Sequence, residues 1–215
     1  MAVRRHVCSE DYSSWLLPAA RECLKEAGIR MEEVELLGVS TGPGSFTGVR
    51  VGLTTVKAWA EVYGKKVVGI SRLEAMAHCA DCGAPWVAAC YDAQRGQLFA
   101  ALYRLRESCL ELVEAERVIE ADNFLQLANE QARAEAIAWV SLDPELITSL
   151  TGWQERELAG DTMQRLDGDL AGKIGEIAEE RAGKQLFTDP LELDANYVRR
   201  SDAEIFWKGP ASHAH

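Results

Sequence analysis

The sequence predicts an α/β fold with mixed sheets arranged in two lobes. Three observations carry that expectation. Short apolar runs suited to buried strands alternate with segments whose apolar residues recur every three or four positions. A glycine loop, Gly42-Pro43-Gly44, joins one apolar run to a helix-period segment, and a second run follows; that is the order of a parallel strand–helix–strand crossover. Two further runs flank Asp92-Ala93-Gln94-Arg95-Gly96, a turn sequence suited to a hairpin.

Taken in order, Ser9 or Asp11 can cap a first helix, with acidic residues in the first turn where the helix dipole favours them. Leu17, Ala20, Leu24 and Ala27 form its apolar stripe and Gly28 stops it, while Pro18 either bends it or marks its start. Residues 34–40 read as a buried strand, 45–63 as a second helix ending at Gly64, and 66–70 as a β-branched strand. A short helix capped by Ser71 reaches Cys79. The hairpin strands are 86–91 and 97–103, with a third antiparallel strand at 111–119. Helix 121–130, strand 136–141, helix 143–150, strand 153–158 and helix 163–183 complete the alternation. The expected division is an N-terminal lobe at 1–104, a C-terminal lobe at 105–190, and a segment at 191–215 that returns to the first lobe before a disordered end. No internal repeat or low-complexity tract interrupts it.

Composition excludes several classes of function. With 47% hydrophobic residues the chain is not a disordered one. No uninterrupted apolar run approaches the roughly 20 residues of a membrane helix, and the two arginines near Met1 precede no secretory apolar stretch. Asp and Glu number 34 against 23 Lys and Arg, a net charge of -11, which ill suits gripping phosphate backbones unaided. Cys8, Cys23, Cys79, Cys82, Cys90 and Cys109 are scattered and read as reduced thiols of a cytoplasmic protein. Cys79 and Cys82 form one CxxC after His78, without the second pair that a structural zinc site needs; two small residues at a helix end account for it.

The glycine loop is the most informative stretch. It lacks the Lys-Ser/Thr of a Walker loop and the spacing of Gly-x-Gly-x-x-Gly, and Pro43 breaks a nucleophile elbow around Ser45. Ser45 or Thr47 can cap the following helix, whose exposed amides could hold an anion. Gly48 and Gly52 lie four apart on one face, and each costs roughly 1 kcal/mol against Ala, which implies close approach of another element. Val49, Leu53, Val56 and Ala60 add a stripe, and Phe46 and Trp59 add bulk. Such a helix is either sandwiched in its own core or buried against a partner. Asp92 and Arg95 fit a turn-stabilising ion pair. Of the four histidines, His6, His78, His213 and His215, two lie in the tail and none has metal-ligand spacing.

The run Gly42-Pro43-Gly44-Ser45-Phe46-Thr47-Gly48-Val49-Arg50-Val51-Gly52 resembles the signature of the TsaB (YeaZ) family of bacterial tRNA threonylcarbamoyladenosine biosynthesis proteins, in the glycoprotease-like group. The likeness continues through 58–64, 69–76, 91–99 and 196–199; it is strong over about residues 8–105 and thin over 106–190. The resemblance implies two ribonuclease-H-like lobes of the actin-like ATPase superfold and no independent catalysis. It implies no cofactor on this chain, ATP being used by the complex. It also implies dimerisation through helices 9–27 and 45–63, with Trp15, Leu16, Ala20, Phe46, Gly48, Val49, Gly52, Leu53, Val56 and Ala60 at the interface. The implied partners are the TsaD paralogue, which carries the metal and the transferase chemistry, and the TsaE ATPase, with tRNA reached only through the complex and a homodimer forming without TsaD. No membrane is involved.

Family members open with an apolar strand carrying Asp-Thr and then two more strands, whereas this chain starts at the lead into the first helix. The expectation is an N-lobe lacking its first strands, with exposed strand edges and reduced stability. Two other readings are an ATP-binding phosphotransferase of the same superfold, which needs the absent first phosphate loop, and a metallopeptidase-like protein, which needs a metal pair or a serine with a base; neither pattern is found.

Overall fold

The computed structural model describes residues 2–6, 11–81, 83–107 and 109–198. Helix α1 (Tyr12–Ala27) follows Asp11 and ends at Gly28, whose φ of 70° is left-handed. Asp11 holds the cap position without a side-chain bond, and no acidic residue lies in the first turn, so the expected acidic opening is not formed. Ser9 falls outside the described residues. Pro18 lies within α1, which runs through it. Strand β1 (Leu36–Gly42), helix α2 (Phe46–Tyr63) and strand β2 (Lys66–Ser71) form the parallel crossover expected from sequence. Ser45 caps α2 and Gly64 ends it in a left-handed turn.

Helix α3 (Arg72–Ala77) is capped by Ser71. Strands β3 (Trp86–Asp92) and β4 (Gln97–Arg106) form the antiparallel hairpin. The expected third strand is two, β5 (Cys109–Leu112) and β6 (Arg117–Glu120), each paired with a different half of β4. Helix α4 (Ala121–Ala132), strand β7 (Ile137–Ser141) and the short α5 (Glu145–Thr148) follow.

Two elements differ from expectation. Residues 153–158, read as a strand, form helix α6 (Trp153–Leu158). The segment is rich in good helix formers, and Trp153 and Arg156, three apart, are its buried pair. The helix expected from 163 starts later, as α7 (Ala171–Gly183), because residues 162–165 form strand β8 (Thr162–Arg165), parallel to β7. Pairing with a buried neighbour overrides local periodicity there.

Among the described residues the larger sheet has six strands, in the order β5-β4-β3-β7-β8 with β6 also on β4. It therefore begins at Trp86, upstream of the 104/105 boundary expected from sequence. Alternation sorts its side chains. Val87, Ala89, Tyr91, Ala101, Tyr103 and Val140 pack towards α3 and α7. Trp86, Ala88, Cys90, Leu98, Leu102 and Trp139 pack on the opposite face, with α4, α5 and α6.

Among the described residues the smaller sheet has two strands, β1 and β2. Gly38 lets α7 approach it, since a Cβ there would lie 3.1 Å from that of Ala178. On the other face Val39 and Val67 meet Leu53, Val56 and Ala60 of α2. After α7 the chain crosses back over this sheet. Thr188 N–H donates to the Val67 carbonyl at 2.8 Å, Leu193 is buried in the α2-side core, and Asn196 N–H donates to the Thr41 carbonyl at 2.8 Å. No described helix is long and apolar enough to cross a membrane.

Candidate functional site

Strand β1 delivers the glycine loop. Gly42 takes a φ of 96°, which side chains disfavour, and its bond to buried Pro43 is cis. The Pro43 carbonyl accepts from the Tyr91 hydroxyl at 2.5 Å, and the Arg72 guanidinium lies 4.5 Å from the Tyr91 ring centre. Burial pushes the Tyr91 phenol upward, so it remains a donor. Ser45 Oγ accepts from Gly48 N–H at 3.3 Å. The hydroxyl is thus engaged as the cap of α2, while Thr47 is exposed in the first turn. The loop borders a cleft of about 810 Å³ that Gly44, Ser45, Arg72, His6 and Asp169 also line. Arg5 crosses it to Asp169 at 2.8 Å.

Helix α2 resolves the alternative left open by its composition. Leu53, Val56 and Ala60 are buried in the chain's own core, and Val49 packs against them. These four form an internal stripe, not the outward face expected of interface residues. Gly48 and Gly52 turn towards the α1 side. A Cβ at Gly48 would meet the Tyr12 ring at 3.4 Å, but at Gly52 nothing lies within 4 Å. The Tyr12 distance is ordinary van der Waals contact, so close internal packing requires neither glycine. Opposite Leu53 lie Val51, Ala58 and Val62, by helical rotation, and Val62 is 73% exposed. These are the outward apolar residues of α2, and their spacing of seven and four carried the signal in the sequence. Phe46, at 43% exposure, stands at the start of the helix.

Helix α1 buries only Ala19. Trp15, Leu16 and Ala20 are half-buried and line a cleft of about 980 Å³ between α1 and α7, so they face inward across it. Leu17, 53% exposed, is a large apolar residue that α1 turns outward, and Tyr12 at its start is 40% exposed.

The Asp92 carboxylate accepts from Gln94, at 2.7 Å from its backbone N–H and 2.8 Å from its side chain. The turn is closed by that Asx arrangement. Cys79 Sγ donates to the Ala75 carbonyl at 3.3 Å at the end of α3, and Cys82, its expected companion, lies outside the described residues. Burial pushes the Cys90 thiol up to about 12. His213 and His215 also lie outside the described residues. Among the described residues no three His, Cys, Asp or Glu side chains group as a metal site requires.

Sequence reasoning missed one polar cluster altogether. The Glu116 carboxylate, between β5 and β6, accepts from the Ser71 hydroxyl, from Asn196 Nδ2 at 2.5 Å and from the Tyr103 hydroxyl at 3.4 Å. Burial raises its pKa above the usual carboxylate value, against these stabilising bonds. Its partners come from positions 71, 103 and 196, which no local pattern connects.

A family model described as TsaD, tRNA N6-adenosine threonylcarbamoyltransferase, matches residues 4–162. The tRNA threonylcarbamoyladenosine biosynthesis protein TsaB of Bacillus subtilis is 27% identical over 92% of this chain and 84% of its own length. The TsaB of Escherichia coli is 28% identical over 69% of this chain, which spans 61% of that protein. The tRNA N6-adenosine threonylcarbamoyltransferase of Protochlamydia amoebophila is 31% identical over 37% of this chain and 22% of its own length. The fold is that of a crystal structure described as similar to peptidase YeaZ from Pseudomonas aeruginosa, with a TM-score of 0.68, 24% identity and coverage of 90% of this chain and 87% of that one. YeaZ from Pseudomonas aeruginosa itself gives 0.62 at 23% identity, covering 86% and 84%. The glycine-loop signature, the crossover that carries it and these matches lead to one assignment: the chain belongs to the TsaD-type tRNA N6-adenosine threonylcarbamoyltransferase family, within which it resembles TsaB (YeaZ).

Proposed function

We propose that this chain is a non-catalytic subunit of the bacterial machinery that makes N6-threonylcarbamoyladenosine in tRNA, and that it docks a TsaD-type chain through α1 and α2. The observation that carries the reading is the match to a TsaB protein over 92% of this chain, against 37% for a relative named as the transferase. The outward residues Leu17 and Val62, 53% and 73% exposed, support the placement of the docking face. The TsaD-type partner supplies the transferase chemistry, a TsaE ATPase joins and consumes ATP, and the cytoplasm is the site of action. Without the partner the same helices pair two copies of this chain. The net charge of -11 fits a subunit whose tRNA contacts come from its partners.

The test is to co-purify this chain with a TsaD-type chain and to assay threonylcarbamoyl transfer to tRNA with TsaE and ATP. Co-purification and transfer that depends on this chain are expected. Transfer that proceeds equally without it, or that this chain performs without the TsaD-type partner, overturns the reading.

A further inference from the structure

We propose that Glu116 works as a proton-operated latch: with its proton bound it holds residues 187–198 closed over the small sheet, and without it that segment opens more readily. Such a latch operates within the chain itself, whether or not a partner docks.

Four separate stretches of chain meet at this side chain. Glu116 lies between β5 and β6 of the large sheet. One of its oxygens accepts from the hydroxyl of Ser71, which ends β2 in the small sheet, and from the hydroxyl of Tyr103 on β4 at 3.4 Å. The other accepts from Asn196 Nδ2 at 2.5 Å. Asn196 is the last of the ties that keep the segment down. Before it, Thr188 N–H donates to the Val67 carbonyl at 2.8 Å, Gly69 N–H donates to Thr188 Oγ1 at 3.0 Å, and Leu193 is 1% exposed. Asn196 N–H itself donates to the Thr41 carbonyl of β1. Glu116 therefore links the segment to both sheets at one point.

A cationic partner is missing from this arrangement. Among the described residues no Arg, Lys or His side chain pairs with Glu116; its three donors are neutral. The charged and titratable groups around it are committed elsewhere or have its own sign. Helix α3 brings Glu74, whose partner Arg181 of α7 also donates to the Gly69 carbonyl at 3.1 Å. Arg72 of α3 lies 4.5 Å from the ring centre of Tyr91 on β3. Burial keeps the Tyr91 and Tyr103 phenols protonated. In the loop of Glu116 itself, Arg117 pairs with Glu114. Desolvation, aided by Glu74, accordingly raises the Glu116 pKa above its ordinary 4.5, against the pull of Ser71, Asn196 and Tyr103.

Linkage gives the direction. Opening the segment returns Glu116 to water, where it titrates at its ordinary value. The closed form binds the proton more tightly than the open one, so closing takes up a proton and opening releases it to solvent. Closure is strongest below 4.5, weakens as pH rises through the raised value, and is constant above it.

The experiment is hydrogen exchange of the full chain, read by mass spectrometry in peptides covering 187–198 and corrected for intrinsic rates, from roughly pH 4 to pH 8. Wild-type protection is expected to fall by up to about ten-fold per pH unit across that window and then level off. Glu116→Gln carries no charge and still offers an oxygen to Asn196, so it should keep high protection without the fall. Asp189 and Asp194 titrate in both chains and cancel in that comparison. Glu116→Ala should lower protection at every pH. Glu74→Gln, which removes the like charge, should move the fall to lower pH, and it keeps the test decisive if thermal melts show Glu116→Gln to be poorly folded. Wild-type protection that is flat or rises with pH overturns the latch, as does a fall in Glu116→Gln equal to the wild-type one. A loss in Glu116→Ala with no pH-dependent difference between wild type and Glu116→Gln makes Glu116 an ordinary structural contact, and overturns it too.

Discussion

Trp139, fully buried in the six-stranded sheet, and Val62, 73% exposed on α2, mark two regions of opposite construction. Around Trp139 the chain commits every group. Its indole N–H donates to Asp161 at 2.8 Å, and its ring packs edge-on against Phe124 and Trp153. Asp161 also pairs with Arg156 at 2.7 Å and accepts from Ile137 N–H at 2.9 Å. The rest of the guanidinium donates to Asn129 and to the carbonyls of Arg133 and Glu135, so the buried pair leaves no charge or donor unanswered. Around β1 and β2 the sheet is small, α1 buries a single alanine, and α2 buries one stripe. The contrast separates two tasks. The large sheet is finished by its own side chains, whereas the small one leaves helix faces uncommitted and depends on residues 187–198 for part of its core.

The sharpest challenge to that contrast is Asp161→Ala. It strands a buried guanidinium and should cost about 3–5 kcal/mol by denaturant titration; a loss under 1 kcal/mol would mean that the network contributes little. Leu193→Ala should cost less, about 2–3 kcal/mol, and hydrogen exchange should rise in β1 and β2 but not in β3 or β7. A uniform rise would join the two regions into one cooperative unit. Gly52→Ala should stabilise the chain by about 0.5–1 kcal/mol, because no atom lies within 4 Å of the added methyl; destabilisation would reveal a clash. Val62→Lys should leave folding stability within about 0.5 kcal/mol while weakening the TsaD-type complex in a pull-down. The smallest effect is expected at the rim of the large sheet. Arg104 and the Trp86 indole hold the exposed Glu135 carboxyl at about 2, below its ordinary 4.5. The unfolded chain binds more protons between those values, so stability gained there is present above the ordinary carboxylate value and lost as pH falls towards 2. Arg104→Ala should flatten the stability–pH slope in that window.

The parts of the fold legible in the sequence were those written locally. Ser45, Gly64, Gly28 and Ser71 mark real helix boundaries, and Gly96 closes the hairpin turn. The stripe Val49-Leu53-Val56-Ala60 announced an apolar helix, but its composition could not say which side met the core; the second apolar set, Val51, Ala58 and Val62, did so only once β1 was in place beneath the helix. Residues 153–158 read as a strand from sequence but form a helix, in which Arg156 takes its meaning from Asp161 across a turn. Glu116 falls within the single strand expected at 111–119, with nothing in the sequence to set it apart. Its donors converge only through the tertiary fold.

The return of the chain over the small sheet also sets an order of assembly during synthesis. Val39, Leu53, Val56, Ala60 and Val67 emerge from the ribosome early, yet the leucine that seals them is residue 193, translated after the whole of the large sheet. The nascent crossover must wait, its apolar groups open to chaperones, until the large sheet has formed and the returning segment closes over it.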